Sequence, residues 1–258
     1  MKYRSYSYEE YYEAMELLEK GLGPTEVSRI LGISKRTVKA WKYEGKIPWL
    51  AKWHPTPSKE LSYILGVLHG DGYIVKPRKN VYDIELMVKD YKFAETFSKA
   101  LSKLLNKRFK KPCWSENHSR WRIFYYSKAF HRWYRKQTLE TLKSYIEYNK
   151  DTVKLFLRGI YDSEGYNYKC KQIFLANSNP EILNYIQYLL KKYFNIKTTG
   201  PYLIKKAGSI NRKRNGERIK TRHNTYSIAI SRKRDVQIFL SEIGFSITEK
   251  RLGLKRRR

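Results

Sequence analysis

Hydrophobic residues recur at helical spacing through the first fifty residues. In Tyr8–Glu19 the apolar side chains return every three or four positions and five glutamates lie between them, which predicts an amphipathic helix. Pro24 is typical of the first turn of a second helix, and Gly32 ends its apolar pattern. Ser34 is a suitable N-cap for a third helix. Three short helices with a glycine in the turn between the last two form a helix-turn-helix pattern.

The third helix carries an apolar face and a basic face. Val38 and Trp41 mark the apolar face. The basic residues at its other positions are Lys35, Arg36, Lys39 and Lys42. Because the corresponding helix of helix-turn-helix proteins enters the major groove of DNA, we expect these four side chains to contact DNA. A small helical bundle with a solvated basic face is the alternative.

One pattern occurs twice in the rest of the chain. YILGVLHGDGY at Tyr63–Tyr73 aligns with FLRGIYDSEGY at Phe156–Tyr166, and the alignment matches Asp71 with Glu164. The elements predicted after each copy also correspond. In the first half they are strands at 72–75 and 81–88, a helix at 91–105, strands at 110–115 and 120–126, and a helix from 128. In the second half they are strands within 165–177, a helix at 180–194, strands at 198–205 and 224–231, and a helix at 235–243.

These elements predict an α+β fold in which each half has the order αββαββα and a small all-α domain precedes both. Residues 46–57 contain Pro48, Pro55 and Pro57, a density typical of a linker. We therefore predict four segments. They are a helix-turn-helix domain at 1–50, a linker at 51–60, and two α+β halves at 61–150 and 151–258.

Each repeated segment is a mostly apolar helix that ends in an acidic residue and a glycine. Small residues lie four positions apart on one face of each helix, namely Gly66, Gly70, Gly159 and Ser163. This spacing allows two helix backbones to approach closely. Two such helices side by side would bring Asp71 and Glu164 together, against their mutual repulsion and against both helix dipoles. That cost indicates a bound cation, and carboxylates with phosphate oxygens and water suit Mg²⁺; a helix pair that merely packs is the alternative.

The charge of the chain points to a polyanionic partner. The sequence has 54 Lys+Arg against 24 Asp+Glu, a formal net charge of +30. Nucleic acid is the first candidate and an anionic membrane surface the second. Apolar runs such as Tyr63–Leu68 are too short to span a bilayer, and the N-terminus has no apolar signal region, so we expect an intracellular protein. Cys113 and Cys170 have no CxxC partner and are predicted to be packing residues.

The two repeated segments resemble the paired motifs of LAGLIDADG homing endonucleases in their single-chain, two-motif form. The resemblance rests on the matching glycines, the acid–glycine ending of both copies and the shared order of elements, over roughly residues 61–247. It implies a pseudo-twofold pair of halves whose antiparallel sheets form a saddle over DNA. It also implies a site-specific nuclease that cuts both strands across the minor groove with Mg²⁺ or Mn²⁺.

The resemblance assigns roles to individual residues. Asp71 and Glu164 match the metal-binding catalytic acids at the motif ends. Lys128 and Lys233 match a basic residue, between the last strand and the following helix, that helps to polarise the water network. Asp90 and Asn179 match a further polar position in the family, and both also fit as helix N-caps.

The second half contains a basic excursion between two predicted strands, which includes Gly208 and Gly216. We expect it to form a long hairpin that follows the DNA backbone. Its basic residues are Lys205, Lys206, Arg212, Lys213, Arg214, Arg218, Lys220 and Arg222. The basic residues from Lys250 to Arg258 are predicted to form a flexible, non-specific tail.

The leading interpretation is a monomeric, Mg²⁺-dependent endonuclease that recognises a long asymmetric site in double-stranded DNA, with the helix-turn-helix as a second grip. One alternative is a non-catalytic transcriptional regulator, since one group of regulators joins a degenerate LAGLIDADG core to a helix-turn-helix. The presence of both acids argues against it. Another alternative is an intron maturase that binds RNA, although a helix-turn-helix favours duplex DNA because the A-form major groove is too narrow for a helix.

Overall fold

The computed structural model describes residues 6–48, 53–76, 78, 81–212 and 218–254. Within these ranges the chain packs as two compact units. The first comprises Met1–Thr56, Lys76–Asp83 and Tyr126–Lys136, and the second comprises Pro57–Val75, Ile84–Tyr125 and Gln137–Arg258. None of the helices in the described ranges combines the length and the apolar character that a membrane span requires.

The first three helices belong to the first unit and surround an apolar core of their own. Helix α1 is Tyr8–Glu19, α2 is Pro24–Leu31 and α3 is Lys35–Glu44. Gly32 and Gly45 end α2 and α3 in the left-handed conformation, at φ of 63° and 60°, where glycine carries no Cβ penalty. The buried side chains of the core are Tyr6, Tyr11, Ala14, Leu18, Val27, Ile33, Val38 and Trp41.

The first αββαββα half follows. Its elements are α4 (Lys59–Leu68), β1 (Gly72–Val75), β2 (Asp83–Val88), α5 (Tyr91–Leu104), β3 (Cys113–Ser115), β4 (Arg120–Tyr126) and α6 (Lys128–Tyr134). The four strands form one sheet in the order β1-β2-β4-β3. Helix α7 (Leu139–Ile146) leads into the second half.

The second half repeats this order. Its elements are α8 (Lys150–Glu164), β5 (Gly165–Tyr168), β6 (Gln172–Asn177), α9 (Pro180–Phe194), β7 (Thr199–Lys205), β8 (Ile210–Arg212), β9 (Arg218–Lys220), β10 (Thr225–Ile230), α10 (Lys233–Ile238) and α11 (Thr248–Arg251). The sheet order is β5-β6-β10-β7, equivalent to that of the first half, and β8 pairs only with β9 in a separate antiparallel hairpin. The predicted α+β class is therefore confirmed.

Alternation along β4 shows how the first sheet covers the core. In β4 the side chains of Ile123 and Tyr125 are buried, whereas Arg120, Arg122 and Phe124 are exposed. A strand with this period of two has one face on the core and one face toward solvent. Arg122 forms an ion pair with Glu85, a buried residue of β2.

Residues near the predicted linker pack against helices of the first unit. The ring centroid of Trp53 lies 5.2 Å from that of Phe130 and 5.5 Å from that of Trp133, both in α6. Tyr8, at the start of α1, packs on His54 with a centroid distance of 3.8 Å. The aromatic side chains of this segment thus contact both α1 and α6.

Two expectations from the sequence are wrong. Cys113 and Cys170 are exposed rather than packed in the core, because Cys113 lies on the short strand β3 and Cys170 in the turn after β5, at a φ of 55°. Residues 250–254 do not form a loose tail: Thr248–Arg251 is helical and Lys250 contacts α8. Lys255, Arg256, Arg257 and Arg258 lie outside the described residues.

Candidate functional site

The two motif helices, α4 and α8, are in backbone contact through their small residues. A Cβ added to Gly66 would overlap the carbonyl oxygen of Phe156 and lie 2.9 Å from the backbone nitrogen of Ile160. A Cβ added to Gly159 would overlap the carbonyl oxygen of Tyr63 and lie 3.0 Å from the nitrogen of Val67. Neither site has room for a side chain, so the helices are as close as their backbones allow.

The contact continues to the C-terminal ends of both helices. A Cβ on Gly70 would overlap the Cβ of Ser163 and lie 3.2 Å from the Cγ of Glu164. Gly70 directly precedes Asp71 in the chain. The packing of the four small residues therefore brings the segments that carry Asp71 and Glu164 together, as the repeat predicts.

Each acid is followed by the glycine at which a strand begins. Gly165 directly follows α8, whereas α4 ends at Leu68 and a short turn that contains Asp71 leads to Gly72. A Cβ on Gly165 would overlap the carbonyl oxygen of Tyr161, and one on Gly72 would lie 3.0 Å from the Cγ1 of Val67. Strands β5 and β1 can begin at these glycines only because no side chain fills the space. The acid–glycine pairs thus place each carboxylate directly before the first strand of its half.

The electrostatics of the carboxylates agree with this geometry. The side chains of Asp71 and Glu164 are both exposed. Partial burial raises the pKa of Glu164, the neighbouring Asp71 carboxylate raises it further, and the ammonium of Lys250 lowers it. Each acid also lies at the negative end of a helix dipole. Two negative groups here oppose each other, so a cation between them would stabilise the arrangement.

The donor set fits a hard divalent cation. Among the described residues there is no group of three or more His, Cys, Asp or Glu side chains that could hold a metal, whereas a protein zinc site takes three or four such ligands. Two carboxylates, with the remaining positions open to water and to phosphate oxygens, match the coordination of Mg²⁺. Asp71 and Glu164 are therefore the residues that would hold it.

Lys250 caps the end of α8. Its ammonium donates to the carbonyl oxygens of Tyr161 at 3.2 Å, Asp162 at 2.5 Å and Ser163 at 3.2 Å. The last carbonyls of a helix have no partner within the helix, and a lysine can satisfy them. The sequence offered no local signal for this contact, because Lys250 lies more than eighty residues from α8.

Asp162, which precedes this helix end, is buried in a hydrogen-bond network. Its carboxylate accepts from the Tyr63 hydroxyl at 2.9 Å, from the Ser246 backbone nitrogen at 2.8 Å and from the Ser246 hydroxyl at 2.6 Å. Burial raises the pKa of Asp162, and the contacts from Ser246 and Tyr63 lower it. The network joins α4, α8 and the chain before α11, and thereby fixes the motif helices beneath the two acids.

His69 occupies the matching position in the first half. Its Nδ1 donates to the carbonyl oxygen of Leu65 at 2.8 Å, and its ring meets Phe156 edge-on at 5.9 Å. Burial lowers the pKa of His69, which favours the neutral ring. The residue is thus a hydrogen-bonded part of the helix interface.

The two lysines assigned by resemblance occupy equivalent places in the two halves. Lys128 is the first residue of α6, and Lys233 the first of α10. The ammonium of Lys128 lies 5.4 Å from the ring centroid of Tyr82, and burial followed by the charge of Arg132 lowers its pKa. Lys128 belongs to the first unit, whereas Asp71, Glu164 and Lys233 belong to the second.

Asp90 and Asn179 are helix N-caps. The Asp90 side chain accepts from the backbone nitrogen of Phe93 at 2.8 Å, and that of Asn179 accepts from the nitrogen of Glu181 at 2.8 Å. Each satisfies a donor that the first turn of the helix leaves open. Of the two interpretations that fit these residues, the capping one describes their contacts.

The predicted DNA-contact residues are exposed wherever their side chains are described. Lys35, Arg36, Lys39 and Lys42 lie on α3 opposite the buried Val38 and Trp41, and Lys205, Lys206, Arg218, Lys220 and Arg222 lie in or beside the β8–β9 hairpin and at the end of β7. The side chain of Arg212, and all of Lys213 and Arg214, lie outside the described residues.

The exposed sheet faces add side chains that the sequence analysis did not single out. Arg120 and Arg122 lie on the exposed face of β4, and Tyr166 and Tyr168 on that of β5. The alternation in RWRIFYY could have identified the arginines, because Ile123 and Tyr125 mark the opposite, buried face.

Comparison with known proteins agrees with this architecture. A family model for a LAGLIDADG-like domain matches residues 151–244, and one for the WhiA LAGLIDADG-like domain matches residues 60–120. The uncharacterized protein MJ0398 of Methanocaldococcus jannaschii is 32% identical over 235 residues, which cover 90% of this chain and 84% of that protein. The uncharacterized protein MJ0314 of the same organism is 33% identical over 147 residues, or 53% of this chain and 55% of that protein.

The fold is also that of a solved nuclease. The crystal structure of I-DmoI in complex with DNA and manganese superposes with a TM-score of 0.51 at 19% identity, covering 73% of this chain and 98% of that one. Both motif segments, both halves and these matches lead to one conclusion. The chain belongs to the LAGLIDADG family.

Proposed function

We propose that this protein is a metal-dependent endonuclease that cuts both strands of DNA at one long, asymmetric site. The observation that supports it most is the meeting of Asp71 and Glu164 at the packed ends of α4 and α8. A second support is that I-DmoI, which shares the fold, has been crystallised with DNA and manganese, magnesium or calcium. One copy of the chain carries both halves, so a monomer would suffice.

In this proposal Asp71 and Glu164 hold Mg²⁺ or Mn²⁺. A divalent ion in such a site activates water and stabilises the charge that develops on the scissile phosphate. The packed glycines keep the two carboxylates at fixed positions beside each other. Lys128 and Lys233 would each offer a cationic group to the water and phosphate oxygens of one half. The lowered pKa of Lys128 means that its ammonium gives up a proton more readily than that of an ordinary lysine.

Duplex DNA is the partner that the distribution of charge fits. The exposed arginines of β4 and the tyrosines of β5 lie on sheet faces, where strand side chains can reach base edges in the major groove. The cations of the β8–β9 hairpin suit contacts to the phosphate backbone, which position a protein without reading sequence. The basic face of α3 suits a neighbouring major groove as the recognition helix of a helix-turn-helix.

A DNA-binding regulator is the second candidate. The observation that favours it is the match of residues 60–120, which include Asp71, to the WhiA LAGLIDADG-like model, because WhiA is a DNA-binding regulator. Retention of both acids favours the nuclease, since binding alone needs neither. The two functions differ in one outcome, which is whether bound DNA is cut.

The test is cleavage of a randomised duplex library by the purified protein, in Mg²⁺ and in EDTA, followed by sequencing of all new ends. We expect staggered ends at one long site in Mg²⁺ and none in EDTA. Salt-sensitive binding of one duplex without new ends in Mg²⁺ or Mn²⁺ would support the regulator instead. Stronger binding to a structured RNA than to any duplex would support the maturase alternative.

A further inference from the structure

We propose that Lys250 is a positioning residue that holds the carboxylate of Glu164 in place, and that it makes cutting of one DNA strand more dependent on the C-terminal segment than cutting of the other. This inference rests on the proposed endonuclease. It concerns residues 246–254, which we name the C-terminal clasp.

The clasp is anchored to α8 and β5 by several independent contacts. Lys250 donates to the last three carbonyls before Glu164, at 3.2, 2.5 and 3.2 Å. The side-chain amide of Asn167 in β5 donates to the carbonyl oxygen of Lys250 at 2.8 Å. Ser246 donates twice to Asp162. The short helix α11 is therefore held from both sides, and the ammonium of Lys250 has a defined place.

The close packing at Gly253 limits movement of the clasp further. Its φ is +64°, and an added Cβ would lie 2.7 Å from the backbone nitrogen of Cys170 and 2.9 Å from the Cα of Lys169. The chain after α11 thus lies directly on the β5–β6 turn. Because both ends of α11 are fixed, Lys250 is presented to α8 as part of the fold and not as a loose surface lysine.

The positive charge of Lys250 lies beside a concentration of negative charge at the C-terminal end of α8. The C-terminal carbonyls of α8 form the negative end of its dipole, and Glu164 adds a full negative charge beside Asp71. The ammonium of Lys250 offsets both negative charges and, by its hydrogen bonds to the last carbonyls, holds the final turn of the helix in place. Because Glu164 is the last residue of this turn, the backbone conformation of the turn sets the direction of the Glu164 side chain.

The end of α4 is held differently. There the ring of His69 donates to the Leu65 carbonyl oxygen at 2.8 Å. The first half thus uses a histidine at the end of its own helix, whereas the second half uses the ammonium of Lys250 from the C-terminal clasp. Removal of the Lys250 ammonium should therefore increase the mobility of the Glu164 side chain and leave that of Asp71 unchanged. Since the two acids belong to different halves, the two strands should respond unequally.

The test compares three variants of the full chain. Lys250→Met removes the charge and keeps most of the side-chain length. Lys250→Arg keeps the charge and is the conservative rescue. Arg251→Met is the matched control, because it removes one positive charge from an exposed neighbour on the same helix. Melting temperatures establish that each variant is folded, and Lys250→Gln replaces Lys250→Met if that variant is not.

The first readout needs neither metal nor DNA. The backbone N–H of Gly165 donates to the Tyr161 carbonyl at the end of α8, and its hydrogen exchange reports opening of that turn. We expect exchange about tenfold faster in Lys250→Met, and the wild-type rate in Arg251→Met and Lys250→Arg. Unchanged exchange in Lys250→Met would overturn the proposal, whether or not the protein cuts DNA.

The second readout is the balance between the strands. With a supercoiled plasmid that carries the target site, Lys250→Met should accumulate nicked circles, with one strand cut about tenfold more slowly and duplex binding in EDTA like that of Arg251→Met. Lys250→Arg should restore paired cuts. Equal slowing of both strands would show a general structural role and overturn the proposal. A wild type that cuts nothing in any metal would contradict the endonuclease itself, and the exchange result would separately report the state of the helix end.

Discussion

Gly66 and Gly159 face each other across the motif helices: a Cβ on Gly66 would lie 3.1 Å from the Cα of Gly159, and one on Gly159 would lie 3.2 Å from the Cα of Gly66. This contact is what allows α4 and α8 to end side by side. The proximity of Asp71 and Glu164 is a consequence of it. The stability of the second unit and the proposed chemistry thus depend on the same pair of glycines.

Replacement of one of these glycines should destabilise the protein strongly. The new methyl group of Gly159→Ala would overlap the Tyr63 carbonyl, and backbone cannot rotate away as a side chain can. We expect the free energy of unfolding to fall by about 3 kcal/mol or more, measured by urea denaturation. Gly23→Ala is the control, because its Cβ would lie 3.6 Å from the nearest atom, Glu26 Oε2. An equal effect of the two substitutions would contradict the close packing.

The architecture was predictable because its signals are local. The repeat with glycines at fixed spacing, the strand alternation and the Gly32 break each depend on residues near one another in the chain. Helix α9, predicted at 180–194, is Pro180–Phe194 in the structure. The hairpin at 210–220 was indicated by a polar, glycine-containing stretch between two strands. The same kind of signal located both acids, because each precedes the glycine at which a strand begins, although α4 ends three residues before Asp71, at Leu68.

The contacts that support the site were not predictable, because they join distant parts of the chain. Lys250 was predicted to belong to a loose basic tail, and no prediction was made for Ser246, yet both bind near the end of α8. Asp162 is a charged residue in a mostly apolar motif helix, yet it is buried and hydrogen-bonded to Tyr63 and Ser246. The lack of a CxxC partner led to the prediction that Cys113 is a packing residue, but on the short strand β3 it is exposed. Burial of this kind is decided by tertiary neighbours.

Removal of the buried carboxylate at Asp162 should destabilise the protein. Asp162→Ala leaves the Tyr63 hydroxyl and the Ser246 backbone N–H without their acceptor. A buried donor without a partner costs about 1–3 kcal/mol, so we expect a loss of about 3 kcal/mol in the free energy of unfolding by urea denaturation. Asp151→Ala, an exposed acid near the start of the same helix, should have a much smaller effect. A loss at Asp162 no greater than at Asp151 would refute the role of the network.

The ionised Glu164 side chain should lower the free energy of unfolding when no metal is bound. Burial and the Asp71 charge raise its pKa, so the ionised form is less favourable in the folded than in the unfolded state. The penalty is absent at low pH, where the group is protonated in both states, and grows as the pH rises through the unfolded and then the folded pKa. In EDTA at pH 7, Glu164→Gln should therefore melt at a higher temperature than the wild type, and the difference should vanish below about pH 4.

Mg²⁺ should reverse the order of the melting temperatures of the wild type and Glu164→Gln. Mg²⁺ would offset the repulsion between the carboxylates and stabilise the wild type by mass action, so the wild-type melting temperature should rise with Mg²⁺ concentration. Glu164→Gln should show little response. Differential scanning fluorimetry at several Mg²⁺ concentrations measures both effects. A wild type that gains no more than the variant would argue against a metal site at these residues.

The basic face of α3 should contribute phosphate contacts. Lys39 and Lys42 are exposed on this helix, and each phosphate contact adds about −0.9 to the slope of log K against log salt concentration. The double variant Lys39→Ala, Lys42→Ala should lose about 2 from that slope in fluorescence-anisotropy titrations of the target duplex. Lys20→Ala, an exposed lysine paired with Glu16 on α1, is the control. An unchanged slope in the double variant would show that these two lysines of α3 do not contact DNA phosphates.

Asp71 and Glu164 should carry out the metal-dependent cutting and should not be needed for DNA binding. Wild type, Asp71→Asn and Glu164→Gln are therefore compared on the target duplex, with binding measured in EDTA and cutting in Mg²⁺. We predict affinities within a few-fold of one another, and cutting of both strands by the wild type alone, reduced by at least about a hundredfold in each variant. Cutting by either variant at the wild-type rate, or tight binding by a wild type that cuts in no divalent metal, would contradict these roles of Asp71 and Glu164.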